Sequence, residues 1–188
     1  MVTESNLPYL IRRMKPKDIP TVVQLDHQVF KDPWPRAAYI YELYFNPNAR
    51  YFVLQMKGYP SPDAIQGFVG MRVEEQRGHI STLAIHPEWR GQGLGEVLFI
   101  AALKQALTMK AATVVLEVRV FNKVAQNLYF KYGFVAKTRF TGYYQDGEDA
   151  FQLELEIGED VKSYAQTLQT RCDCLEKQII TGALASKS

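Results

Sequence analysis

The stretch HPEWRGQGLGEVLF, residues 86–99, decides how this chain is read. Gly91, Gly93 and Gly95 stand directly before an apolar run that includes Leu94, Val97, Leu98 and Phe99. Glycine lets a backbone bend tightly and brings its N–H groups close to a ligand. The N-terminus of a following helix adds partial positive charge, so such a turn suits an anion. An ordinary loop before a buried helix has the same composition. The flanking residues must separate the two readings.

Three phosphate-binding patterns compete. A P-loop requires Lys and then Ser or Thr after its last glycine, whereas Glu96 and Val97 follow Gly95. A dinucleotide fingerprint requires Gly-x-Gly-x-x-Gly after a strand, with an acid ~20 residues on. Gly93-Leu94-Gly95 begins that pattern and Glu117 is a suitable acid, but Leu98 replaces the third glycine. The preceding strand also ends several residues too early. The third pattern, Arg-x-x-Gly-x-Gly, is met by Arg90, Gly93 and Gly95. It presents the N–H groups of residues 91–96 to a diphosphate.

The rest of the chain sets the frame. Its 188 residues suit one domain with an appendage, and 47% hydrophobic and 22% charged residues are ordinary for a globular protein. A net charge of +2 gives no electrostatic case for nucleic acid or a membrane as partner. No apolar run approaches the ~20 residues of a membrane span. The first residues lack a basic stretch followed by an apolar core, so no secretory leader is expected. Cys172 and Cys174 are the only cysteines, which argues against a disulfide framework and a zinc site. Together these features predict a cytoplasmic protein without a metal.

Hydrophobic periodicity predicts strands over 9–14, 49–56, 113–120 and near 134–140 and 149–157. Two further strands, AIQGFVGMRVEEQ and GHISTLAIHP, are expected to meet at a tight Arg77–Gly78 turn. Helices are expected from Pro16–Asp18 to Phe30, after the proline-broken DPWP, over 91–110, and from Asn122 to Gly133. KGYPSPD, residues 57–63, reads as a turn. The order β, α, α, β, β, β, α, β, α, β, β predicts an α/β (α+β) fold. Its sheet is mixed and mostly antiparallel, flanked by helices, with crossovers around residues 80–135. Residues 1–157 form the domain. The tail, 158–188, carries Val161, Tyr164, Leu168, Cys172, Leu175 and Ile179 at three- and four-residue intervals. It reads as an amphipathic helix ending at Gly182, lying on the domain or offering an oligomer contact.

STLAIHPEWRGQGLGEVLF resembles the acetyl-CoA-binding motif of the GNAT acetyltransferases. The resemblance continues through LEVRVFNKVAQNLYFKYGF, GYYQDGEDAFQLEL and VFKDPW, and spans residues 9–157. Within that superfamily the four motifs, in this order, are similar to the ribosomal-protein alanine N-acetyltransferases (RimI) and their N-terminal acetyltransferase relatives. The resemblance implies acetyl-CoA as co-substrate. It implies a diphosphate held by Gly91, Gln92, Gly93, Leu94, Gly95 and Glu96. The backbone of Leu83, Ala84 and Ile85 would pair with the pantetheine arm, and Asn122 would reach the coenzyme.

Acetyl transfer to an amine also needs a base and an acid. The resemblance assigns Glu117 as base and Tyr129 as acid, in a direct attack within a ternary complex. A Glu117–Arg119 ion pair, an aromatic-core Tyr129 and a helix-capping Asn122 are the competing structural readings. An α-amine near pKa ~8 is easier to deprotonate than a lysine near ~10.4, so the acceptor is expected to be a protein N-terminus. The family implies the N-terminal alanine of a small-subunit ribosomal protein. Tyr143 and Tyr144 would flank that peptide, with Pro33 and Trp34 as the opposite wall. Asp146 and Glu148 would favour a basic peptide, or form a solvated turn. A small-molecule amine (aminoglycoside, polyamine or amino acid) and a non-catalytic acyl-CoA-binding module remain the alternatives. Phe121 stands where the family usually has a small polar residue, and the 57–63 turn and the tail also depart from its pattern.

Overall fold

A computed structural model describes residues 7–59, 64–158 and 160–185. Residues 60–63 of the 57–63 turn lie outside the described residues.

The elements run β1 (Tyr9–Arg13), α1 (Ile19–Val29), α2 (Arg36–Tyr44), β2 (Ala49–Met56), β3 (Ile65–Glu74) and β4 (Arg77–Ile85). They continue α3 (Leu94–Thr108), β5 (Thr113–Arg119), α4 (Lys123–Lys131), β6 (Val135–Phe140), β7 (Ala150–Glu156) and α5 (Val161–Ala185). One seven-stranded sheet has the order β1-β2-β3-β4-β5-β7-β6. Only β4 and β5 pair in parallel, and every other neighbouring pair is antiparallel.

Strand alternation divides the side chains between two cores. In β2 and β3, Leu54 and Val69 face one core while Val53 and Phe68 face the other. The first core lies under α3, α4 and α5. α3 buries Leu94, Val97, Leu98, Phe99, Ile100, Ala102, Leu103 and Ala106, because it packs on the sheet with one face and on α5 with another. The second core lies under α1 and α2 and holds Val22, Leu25, Tyr39 and Tyr51.

Three boundaries differ from the sequence reading. The β3–β4 turn is Glu75–Gln76, both at positive φ (47° and 62°), and not Arg77–Gly78. Two consecutive left-handed residues match the twist of a hairpin. Glycine usually fills those positions, so Gly78 drew the turn two residues too far along. The buttressed helix begins at Leu94 and not at 91, because Gly91 and Gly93 take φ values of +78° and +80° outside it. The tail helix passes through Gly182 to Ala185. A glycine ends a helix where it takes a left-handed conformation, and Gly182 stays helical.

α5 lies along α3. Leu168, Cys172 and Leu175 are buried in the first core, with Tyr164 and Ile179 half-buried against it. Both cysteines are free thiols. No helix among the described residues is long and apolar enough to cross a membrane.

Candidate active site

The parting of β4 and β5 creates the site. The two strands pair only over Arg77–His79 with Thr113–Val115. β4 then continues to Ile85, bonded to β3 on one edge and to no strand on the other. His86 N–H donates to the Gln66 carbonyl of the β3 side at 2.8 Å. Alternation turns Ala84 the same way and turns Leu83 and Ile85 toward the open edge. Leu83 and Ile85 therefore offer amides to an extended ligand, whereas Ala84 is buried in the second core. The Ile85 carbonyl is already engaged by Arg90 Nε at 3.2 Å.

At the end of that edge lies the glycine turn. Among the described residues, no backbone carbonyl accepts from the N–H groups of Gly91 through Glu96. Those of Leu94, Gly95 and Glu96 are the free first-turn donors of α3. A side chain at Gly91 would meet nothing within 4 Å, so that flank is open. Free convergent donors, a helix N-terminus and an unpaired strand edge together fit a diphosphate and its amide-bearing arm.

Glu117 stands on β5 two residues beyond the last parallel pair, and its side chain is 14% exposed. Val114, Leu116 and Val118 face the first core, so Glu117 points from the opposite face of the sheet. It does not pair with Arg119. Its Oε2 lies 2.7 Å from His79 Nε2, and Gln152 Nε2 donates to Oε1 at 3.1 Å. Burial alone would raise its pKa. The hydrogen bonds from His79 and Gln152, with the charges of His79 and Arg72, outweigh burial and hold the carboxyl below its ordinary value. An ionised carboxylate only accepts, so Nε2 carries the hydrogen, and Nδ1 is buried without a partner among the described residues. This group opens onto a cleft of about 1100 Å³ lined by Arg72, His79, Val115, Glu117 and Gln152.

Tyr129 approaches from the other face. Its ring packs on Phe99 with centroids 5.0 Å apart, and burial, reinforced by Tyr144, raises its pKa. The aromatic-core reading of Tyr129 is thus correct, and it leaves the phenol protonated at neutral pH. Burial pushes Tyr144 up to about 12, with Glu117 among the contributing charges, and both burial and Glu117 raise Tyr143. Tyr144 therefore lies within electrostatic reach of both Glu117 and Tyr129, and Tyr143 within reach of Glu117. Asn122 caps α4, its side chain accepting from Ala125 N–H at 3.2 Å. Phe121 beside it is 81% exposed.

Arg119 ties together the loop and the hairpin that were expected to meet the acceptor. Its guanidinium reaches Asp32 between α1 and α2 at 2.6 Å, and Asp146 and Glu148 in the β6–β7 hairpin at 2.9 and 2.8 Å. It also lies 3.8 Å from the centre of the Tyr144 ring. Asp146 and Glu148 are thus both paired with Arg119, Asp146 in an exposed turn. Trp34 lies within the proline-broken loop, between Pro33 and Pro35. Its N–H donates to the buried Asp26 at 2.6 Å, and its ring packs on Tyr39 at 5.7 Å. Tyr143 stacks on Phe140 at 5.8 Å and stays 51% exposed.

His79, Gln152, Arg119 and Asp32 were missed in the sequence. Their signal is the register: Gln152 is the direct cross-strand partner of Glu117, and His79 pairs with Val115. Among the described residues, no group of three His, Cys, Asp or Glu side chains is placed to hold a metal ion.

Comparisons with known proteins agree with this geometry. The acetyltransferase (GNAT) family model matches residues 19–134. A Bacillus subtilis protein provisionally named a ribosomal protein bS18-alanine N-acetyltransferase is 36% identical over 150 residues, covering 79% of this chain and 96% of its own length. The fission-yeast (Schizosaccharomyces pombe) N-alpha-acetyltransferase 30 is 33% identical, covering 72% of this chain and 97% of the relative. The crystal structure of the Escherichia coli ribosomal-protein-S18-alanine N-acetyltransferase superposes with a TM-score of 0.71 at 26% identity, covering 81% and 97% of the two chains. Members of the family transfer the acetyl group of acetyl-CoA, the co-substrate for which the turn and the open strand edge are suited. With its strand parting, its glycine turn and a family match running from α1 to the end of α4, the chain belongs to the GNAT family of acetyltransferases.

Proposed function

We propose that the enzyme acetylates the N-terminal α-amine of a protein, and that the acceptor is the N-terminal alanine of a small-subunit ribosomal protein. The observation that carries this reading is the position of Glu117. It sits two residues beyond the last β4–β5 pair, ionised, and facing the side that holds Trp34, Tyr143 and Tyr144.

In this reading the diphosphate binds the N–H groups of residues 91–96. The pantetheine arm runs along the Leu83–Ile85 edge. The acceptor peptide enters between Trp34 and the hairpin tyrosines. Glu117 takes a proton from the α-ammonium, directly or through one water, and the free amine attacks the thioester carbonyl. A backbone N–H of the open β4 edge stabilises the oxyanion. As the tetrahedral centre collapses, the C–S bond breaks, Tyr129 gives its proton to the thiolate, and the second proton of the attacking nitrogen returns through water to the tyrosinate, leaving the neutral amide and free thiol. Glu117 and Tyr129 approach from opposite faces of the sheet. The incoming amine and the leaving sulfur are therefore served from different sides of the parted strands.

The similarity to the Bacillus and Escherichia proteins supports the ribosomal acceptor. The test is a mass-spectrometric assay with acetyl-CoA and peptides differing in their first residue. One peptide carries a blocked α-amine and a free lysine. Acetylation of peptides beginning with alanine, on the α-amine, is expected. Acetylation of the blocked peptide alone would overturn the reading.

A further inference from the structure

We propose that α5 is part of the coenzyme-diphosphate site, with Arg171 a positioning residue that keeps the Glu96 carboxylate away from the N–H groups of the 91–96 turn. This rests on the acetyl-CoA reading of that turn. α5 lies beyond the residues matched by the family model, 19–134.

Glu96 occupies the third position of α3, after the N-cap Gly93. A glutamate at that position is the residue type that reaches back to bond the N-cap N–H. Doing so would place a negative charge on the donors that a diphosphate requires. Glu96 does not reach back, and no side chain caps α3. Its Oε1 is held instead by Lys131 Nζ at 2.7 Å, Tyr132 OH at 2.7 Å and Arg171 Nε at 2.9 Å. Two cations thereby turn the carboxylate away from the turn and offset its repulsion of an incoming anion.

Arg171 is the one member of this cluster supplied by α5. The same helix reinforces the arrangement twice more. Tyr164 OH donates to the Tyr132 carbonyl at 3.1 Å, fixing the residue whose phenol holds Glu96. Leu175 and Ile179 would stand 3.6 and 3.8 Å from a side chain begun at Gly93, so they back the turn itself.

The experiment is a double-mutant cycle on the full chain, with the acetyl-CoA Kd read by calorimetry and the acceptor-peptide KM by initial rates. Arg171→Ala is expected to weaken acetyl-CoA about 10-fold, the scale of one charge-assisted hydrogen bond, with peptide KM unchanged. Arg171→Lys, which keeps the charge, should fall between the two. In a Glu96→Gln background, Arg171→Ala should leave the acetyl-CoA Kd where that background sets it, because no carboxylate remains to be held. An unchanged Kd for Arg171→Ala overturns the proposal, whatever happens to Tm. An equal loss in both backgrounds also overturns it, since Arg171 would then act independently of Glu96. If the unmodified protein fails to bind acetyl-CoA, the reading of the turn falls, and the proposal with it.

Discussion

Glu117 Oε2 and His79 Nε2 are 2.7 Å apart, joining β5 to β4 at the last point where the two strands still pair. The contact orients the carboxylate at the mouth of the strand parting. Glu117→Gln should lower kcat by 10²- to 10⁴-fold, the usual range for losing a general base, with acetyl-CoA Kd preserved. His79→Ala should cost about 10-fold in kcat by releasing that orientation, on the scale of one hydrogen bond to a charged group. Steady-state kinetics on purified variants would check both.

The pH profile follows from the directions of the shifts. Glu117 is held below its ordinary value, so it stays ionised throughout the range above pH ~5. Tyr129 is raised above the ordinary phenol value, so it stays protonated to beyond pH ~10. Glu117 passes the proton it accepts on to solvent before attack, so the reactive complex carries the free acceptor amine, whose pKa is near ~8. kcat/KM should therefore rise tenfold per pH unit to about pH 8 and then level off. Glu117→Gln should lower the plateau without moving the bend. A bend near pH 5 would contradict this assignment.

Gly93→Val should raise the acetyl-CoA Kd by more than about 10-fold. A β-branched residue at φ +80° is strained, and its Cβ would already be in van der Waals contact with Leu175 and Ile179. Isothermal titration would show it. Unchanged affinity would refute the role of the turn.

Arg119→Met should raise the acceptor-peptide KM at least about 10-fold, because the α1–α2 loop and the β6–β7 hairpin lose their common anchor and Asp32 and Glu148 lose their cation, Asp146 keeping Lys31. Acetyl-CoA affinity should not change. The comparison of the two binding constants is the measurement.

Leu168→Ala tests whether α5 belongs to the fold. Leu168 is fully buried in the first core, and deleting such a side chain costs ~2–5 kcal/mol. In a domain of this size that lowers Tm by about 5–15 °C. Calorimetry showing no shift would make α5 a detachable appendage.

Much of the architecture was legible in the chain. β5 was visible because TVVLEVR is β-branched and alternates. α3 was visible because its apolar residues recur around most of its circumference. The order of elements followed from these periods. The β3–β4 turn was misread because Glu75 and Gln76 adopt a conformation that their residue types seldom choose. Among the candidate site residues, the glycines stood out by type and spacing, whereas Glu117, Tyr129 and the hairpin tyrosines were singled out by the family resemblance. Ala84 came from the same resemblance, yet the direction of its amide depends on the β3 register and could not be read from composition.

The division has one physical cause. Periodicity, turn chemistry and the Arg-x-x-Gly-x-Gly pattern are local, so the sequence by itself determined the elements, their order and the presence of a glycine turn before α3. Ion pairs such as Arg119 with Asp32, Glu117 with His79 and Glu96 with Arg171 join residues 87, 38 and 75 positions apart. Nothing in a one-dimensional pattern selects those partners. Strand register and the docking of α5 decided them, because a charge of given sign takes whichever opposite charge the packed backbone brings within reach.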